Sequence, residues 1–332
     1  MRIGLVGLGR IGALHAETLS GLDAVSSLVV TDVSRDAVAG VVRRHGAQAV
    51  DDVDAMLATG VDGVVVAAAT ASHPSLVLAA AGAGVPVFCE KPLAASAQEA
   101  VALRDRVAVL GVPVQVGFPR RFDAGFSAAR AAVSSGELGW LHTVRATTLD
   151  PAPPPPAYVA GSGGIFRDCS IHDFDAIRWV TGREVTEVYA TGSNRGDGFF
   201  AEVDDVDTAS SVLTLDDTTI AVVSNTRYNA RGHDVRLEVL GSRDSVAVGL
   251  EDRLPLRSVE PGTTFPGGEP HVFFMDRFKD AFRAELAAFT EVVAGTRESP
   301  CTVDDALQAT WIAEACTLSL QEHRPVAVSE VS

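Results

Sequence analysis

Short runs of Val, Ile, Leu and Ala without polar alternation recur through the first third of the chain, and stretches of helical character separate them. Residues 3–6, 27–31, 61–68, 85–89 and 114–118 read as strands covered on both faces, as in a parallel sheet. Helical patterns at 13–19, 75–83 and 96–110 lie between strands, so residues 1–119 are expected to form a doubly wound α/β domain. After a helix at about 124–134 the period of the pattern changes to two. Residues 141–149, 185–192, 208–215, 219–228 and 235–240 predict strands, with hairpin turns at Asp216-Asp217 and at 241–244. Residues 275–294 and 303–322 read as helices and 325–328 as a closing strand. Residues 120–332 are therefore expected to form an α+β domain with an open, largely antiparallel sheet under one helical layer. Its other face, where Thr and Val alternate, suits a homo-oligomer contact or a solvated surface.

Composition narrows the partners. A chain of 332 residues that is 47% hydrophobic and 21% charged can bury a substantial core in two domains. The net charge of −16 is spread along the chain, which argues against nucleic acid and against anionic membranes. The N-terminus lacks the pattern of a signal peptide and the apolar runs are too short to cross a bilayer, so a cytoplasmic protein is expected. Cys89, Cys169, Cys301 and Cys316 form no C-x-x-C pair and have no histidines at zinc spacing, so neither a disulfide framework nor a structural metal is expected.

The first strand runs into Gly7-Leu8-Gly9-Arg10-Ile11-Gly12, and a helix follows. In this context Gly7 permits the tight turn, Gly9 lets a pyrophosphate approach the backbone, and Gly12 lets the helix lie against the strand. The helix N-terminus then offers N–H groups to phosphates, with Arg10 and Ile11 inside the turn. Asp32, at the end of the second strand, suits ribose hydroxyls and repels a 2′-phosphate, which favours NAD over NADP; Arg35 would tolerate that phosphate. Asp32 also suits the cap of the next helix. Ala68, Thr70 and His73 fall in a loop at the carboxyl edge of the sheet, where they shape the cofactor crevice. Glu90-Lys91-Pro92 follows the fourth strand directly. From there the ammonium can reach over a nicotinamide, the proline fixes the turn, and Glu90 can hold the lysine from behind.

In the second half, Asp168, His172 and Asp175 are spaced four and three residues apart, which in a helix places them on one face. A carboxylate one turn from an imidazole fixes the ring's tautomer and raises its basicity, as a general base requires. A packed histidine beside solvated acids is the alternative. The Pro-rich run at 151–156 predicts a stiff extended loop, a lid or an intersubunit arm.

Three motifs in this order, Gly7 to Gly12, Glu90-Lys91-Pro92 and the stretch around Asp168 and His172, resemble the glucose-fructose oxidoreductase and inositol dehydrogenase (Gfo/Idh/MocA) family over nearly the whole chain. Within it, residues 117–123, 150–155 and 164–168 most resemble inositol 2-dehydrogenases. The resemblance implies a Rossmann domain binding NAD, hydride transfer from a secondary hydroxyl of a cyclic polyol, and a catalytic triad of Lys91, Asp168 and His172. It also implies substrate contacts from Asp150 and Asp175, with Arg120, Cys169 and His172 in the same pocket; His233 takes the place of a family phenol there, and Arg231 either does the same or is an exposed hairpin charge, while a homo-oligomer, dimer or tetramer, is expected through the C-terminal sheet. The chain departs from the family where Arg231-Gly232-His233-Asp234 replaces Y-G-Y-D, where Phe282 replaces a tyrosine and where Pro119 replaces an asparagine. These changes leave the redox role intact and open the substrate to another inositol isomer or a pyranose. An NAD-using lyase or glycosidase of the same fold is the rival class, and a regulator without turnover ranks below it because Lys91 and His172 are both present.

Overall fold

The computed structural model describes residues 1–332 and divides into two compact units, residues 1–122 with 280–307, and residues 123–279 with 308–332. In the first unit, β1 (Arg2–Val6), β2 (Ser27–Thr31), β3 (Gln48–Ala49), β4 (Gly63–Val66), β5 (Val87–Glu90) and β6 (Val114–Gly117) form one sheet in the order β3-β2-β1-β4-β5-β6. Every pairing is parallel. Ile3, Leu5, Val30, Val65 and Phe88 are fully buried, which is why these strands carry no polar alternation. The strand order reverses between β1 and β4, so the turns leaving these two strands diverge and open a crevice at their carboxyl ends.

Helices α1 (Arg10–Ser20), α2 (Arg35–His45), α3 (Val53–Ala58), α4 (His73–Gly82) and α5 (Ala97–Leu110) connect the strands. Ser34, Asp52 and Ser96 cap α2, α3 and α5 by accepting from the backbone N–H of Ala37, Ala55 and Glu99. The cap of α2 is thus Ser34, which leaves Asp32 for the glycine turn.

The second unit holds α6 (Ala124–Ser134), β7 (Leu141–Leu149), α7 (Pro156–Ser162), a π-helical turn (Phe166–Ser170), α8 (Ile171–Thr181), β8 (Val185–Ser193), β9 (Thr208–Leu215), β10 (Ile220–Thr226), β11 (Asp234–Gly241), β12 (Ser245–Val248) and α9 (Phe274–Arg277). The sheet order is β12-β11-β7-β10-β9-β8-β13, with β13 at Val326–Ala327. Neighbours are antiparallel except β7 and β10, which run parallel. Along β9, Ala209, Ser211, Leu213 and Leu215 point inward, while Val212 points out. Tyr189, Val212 and Val222 stand opposite one another across β8, β9 and β10 and are exposed, an apolar row on the uncovered face. The row continues through Arg145 and Glu238, which form an ion pair at 3.1 Å. The Pro-rich run ends in structure, because Pro156 opens α7 at a position where a missing N–H costs nothing.

Two expectations are corrected here. A single division at 119/120 assigns everything after it to the second domain, yet residues 280–307 belong to the first unit. The cause is α10 (Lys279–Val293), whose Leu286, Phe289 and Val292 form one apolar stripe in the same core as Ile3, Leu5, Val65 and Phe88. Gly63 permits the approach, since a Cβ there would lie 2.6 Å from Val293 Cγ2. The helix expected at 275–294 is also interrupted: α9 ends at Arg277, and Phe278 leaves helical geometry before α10 begins. The last helix is α11 (Val303–Glu322). No helix is long and apolar enough to cross a membrane.

Candidate active site

In the first unit the glycines divide by role. Gly7 has φ +89°, and a Cβ on it would lie 2.5 Å from the Ala68 nitrogen, so the turn after β1 touches the segment after β4. A Cβ on Gly12 would lie 1.9 Å from the Gly7 carbonyl oxygen, which forces glycine where α1 crosses the turn. Gly9 differs: a Cβ there meets nothing within 4 Å. Its lack of a side chain is required by no neighbour in the protein and leaves open the space in front of α1, whose N-cap is Gly9 without a side-chain cap. A dinucleotide pyrophosphate fits that bare, N–H-rich turn. Asp32 is fixed beside it, with Oδ2 accepting from Leu8 N–H at 2.5 Å and Oδ1 from Ser34 N–H at 2.6 Å. Each oxygen keeps a lone pair for a ribose hydroxyl. Arg10 and Arg35 are exposed at the rim, and Ile11, Ala68 and Thr70 are half-buried.

Lys91 follows the last residue of β5 and is half-buried. Glu90 is directed at His15, with Oε1 2.6 Å from Nε2. His73 is buried with Nδ1 2.8 Å from the Pro92 carbonyl and Nε2 3.0 Å from the Ala68 carbonyl, so it braces the crevice wall from inside. Arg120 is buried in the same unit.

In the second unit the parallel pairing of β7 with β10 decides the geometry. Leu149 pairs with Thr226 and Asp150 N–H donates to the Thr226 carbonyl, so Asp150 and Arg227 leave the same end of adjacent strands. On the other side β11 pairs Asp234 with Leu149, which brings His233 beside Asp150. Arg227 donates from Nη1 to Asp150 Oδ2 at 2.9 Å and from Nη2 to Asp168 Oδ2 at 2.7 Å. Tyr158, from α7, donates its hydroxyl to Asp168 Oδ1 at 2.8 Å. His233 Nδ1 lies 3.4 Å from Asp150 Oδ1, and neither ring nitrogen makes a hydrogen bond.

The electrostatics follow from this packing. Burial opposes ionisation of Asp150, but the His233 imidazole and the Arg227 guanidinium outweigh it and lower its pKa. Burial also works against the charge on Arg227, yet Asp168 and Asp150 hold that group protonated more firmly than in water. Burial, reinforced by Asp150, pushes the Cys169 thiol up, so it stays neutral. Two carboxylates against one guanidinium leave the cluster net anionic, which suits neutral hydroxyl groups better than phosphates or acids.

The chain matches the oxidoreductase family model with an NAD-binding Rossmann fold over residues 1–118 and the GFO/IDH/MocA C-terminal domain over 126–247. It belongs to the Gfo/Idh/MocA family. It is 36% identical to the myo-inositol 2-dehydrogenase of Thermotoga maritima, covering 100% of this chain and 99% of that protein. It is 34% identical to the inositol 2-dehydrogenase of Rhizobium meliloti, covering 99% of each. The crystal structure of scyllo-inositol dehydrogenase from Lactobacillus casei, with bound NAD(H) and scyllo-inositol, superposes with a TM-score of 0.88 at 29% identity over 99% of both chains.

As in the rest of the Gfo/Idh/MocA family, the chain is an oxidoreductase with an NAD-binding domain. Its second unit departs from the helical reading of Asp168, His172 and Asp175. Asp168 lies in the π-helical turn, where the wider i→i+5 spacing inserts a residue, and α8 starts only at Ile171. The simple stacking of the three on one α-helical face therefore does not apply across the junction. Asp175 is fully buried, whereas His172 and Trp179 are the only half-buried positions of α8. Asp173 is also fully buried, accepting from Thr148 Oγ1 at 2.9 Å and Asn225 Nδ2 at 2.8 Å. Arg231 is exposed, so the guanidinium that joins the cluster is Arg227. Sequence reasoning missed Arg227 and Tyr158. An arginine near the end of the strand expected at 219–228 carries no local sign of burial, and a tyrosine two residues past a Pro-rich run reads as loop.

Proposed function

We propose that this protein is an NAD-dependent inositol dehydrogenase, oxidising a secondary hydroxyl of the ring to a ketone. The observation that carries the reading is the buried Asp150–Arg227–Asp168 cluster beside the unpartnered nitrogens of His233. It offers fixed acceptors and an imidazole to a neutral polyhydroxyl ring and supplies no free cation for an acidic one. The full-length likeness to proteins named inositol 2-dehydrogenases supports the same reading.

When bound, the nicotinamide supplies the hydride acceptor. His172 takes the hydroxyl proton as the C–H bond on the same carbon breaks, and the oxygen's electron pair closes the carbonyl. Lys91 donates to that oxygen as negative charge develops on it. Asp168, whose oxygens accept from Tyr158 and Arg227, has the part of orienting the His172 imidazole. Asp150, Asp175, His233, Arg120 and Cys169 serve the other ring hydroxyls. The Asp32 carboxylate makes NAD the preferred dinucleotide.

The test is a panel of inositol isomers and aldoses with NAD and NADP, following absorbance of the reduced nicotinamide. Stoichiometric NADH with at least one inositol, and a clear preference for NAD, is the expected outcome. Turnover with pyranoses alone rejects inositol as the substrate, and product without net NADH marks a self-restoring lyase or glycosidase cycle.

We further propose that the apolar row Tyr189–Val212–Val222 is where copies of the chain associate. Val222→Lys is expected to lower the molar mass measured by light scattering to that of a single chain. An unchanged mass, or a wild-type protein that is already monomeric, removes the idea.

A further inference from the structure

Lys91 stands between two residues that are each tied to a buried histidine of the first unit. On one side, His15 of α1 has Nε2 2.6 Å from Glu90 Oε1. A carboxylate only accepts, so the ring proton faces it from Nε2. On the other side, His73 meets the Pro92 carbonyl. Glu90 is confined further by its partner across the sheet: it pairs with Gly117, and a Cβ on that glycine would lie 3.1 Å from Glu90 Oε2. The carboxylate thus lies over bare backbone, in space that only a glycine leaves open.

The pair is a poor device for stability alone. His15 is 0% exposed, its ring edge-on to Phe88 at 5.6 Å and Phe282 at 6.0 Å, and its Nδ1 has no hydrogen-bond partner. An unpartnered buried nitrogen carries an uncompensated desolvation cost. A leucine among these rings would fill the space without that cost. What the imidazole alone provides is a directed bond to the residue before Lys91, made across 75 positions of sequence.

We infer that His15, acting through Glu90, is a positioning residue for Lys91. The bond fixes the Glu90 side chain, and with it the end of β5 from which the lysine departs; His73 fixes the far side through Pro92. The inference rests on the proposed role of Lys91 in turnover. A misplacement of about 1 Å at a reacting group can cost on the order of 100-fold in rate, which sets the scale of the effect.

A double-mutant cycle separates this from packing. His15→Leu in the otherwise intact protein is expected to lower kcat by about 10- to 100-fold, with NAD affinity from fluorescence titration essentially unchanged. His15→Gln, which keeps a donor toward Glu90, should recover most of the rate. In a Lys91→Ala background His15→Leu should leave the residual rate nearly unaltered, because the group it positions is gone. Equal fold-losses in both backgrounds, or wild-type kcat in His15→Leu, overturn the inference. If His15→Leu does not fold, Glu90→Gln replaces it in the same cycle with the same readings. Ordinary turnover by Lys91→Ala itself instead overturns the reading of Lys91 and leaves the His15–Glu90 pair without a catalytic object.

Discussion

A His172→Ala protein is expected to lose about 10²- to 10⁴-fold in kcat, the range a positioned general base contributes. The change is informative because the side chain is half-buried in a helix whose other first-turn positions are enclosed, so its removal opens no large cavity. Thermal stability and NAD binding should stay close to wild type while the rate collapses. Ordinary turnover by the alanine protein would falsify the assignment of His172, and an equal loss of NAD binding would make its role structural.

The second large effect belongs to Arg227, and it is a stability effect first. Arg227→Met removes the guanidinium that Asp150 and Asp168 share. Breaking a buried pair from one side costs about 3–5 kcal/mol. The pH dependence has a definite sign. In the wild type the pKa of Asp150 is lowered, so its contribution is present above the unfolded carboxyl value of about 4 and is lost as pH falls through the lower folded value. In the variant the part of that depression due to Arg227 is relieved while the part due to His233 remains, and protonation of either carboxyl reduces the charge left without its guanidinium. The deficit should therefore be largest near neutral pH and narrow toward about pH 4. Denaturant unfolding at several pH values reads this directly, and a deficit independent of pH would show that lost packing, not lost charge, is responsible. Turnover should fall too, because Asp168 loses the guanidinium that anchors its Oδ2.

Arg227 also marks the limit of what the chain reveals locally. Residues of one strand or one turn announce themselves through period and composition: the apolar runs of β1, β4 and β5, the glycine turn with Asp32, and the period-two strands of the second sheet all depend on neighbours within a few positions. Their burial and spacing are set by backbone geometry, which repeats, so a reader of the sequence can follow it. The helical character of 275–294 is equally legible, but which core the helix fills is not, because helical periodicity is silent on the partner. The π-helical turn at Phe166–Ser170 escaped for a related reason: Asp168, His172 and Asp175 have helical spacing, and one inserted residue in the hydrogen-bond pattern leaves no mark on composition.

The charge cluster is the extreme case. Asp150 and Arg227 are 77 residues apart and Asp168 and Arg227 are 59 apart, and they meet because one strand pair in an otherwise antiparallel sheet runs parallel. The His15–Glu90 pair is likewise made by strand order, which sets α1 against the end of β5. The chain alone thus determined the class of fold and the dinucleotide turn, and it supplied the proposal for the residues bearing acid and base chemistry. The assembled structure decided which charges are buried together, because desolvation and Coulomb attraction act through space, over distances that sequence separation does not encode.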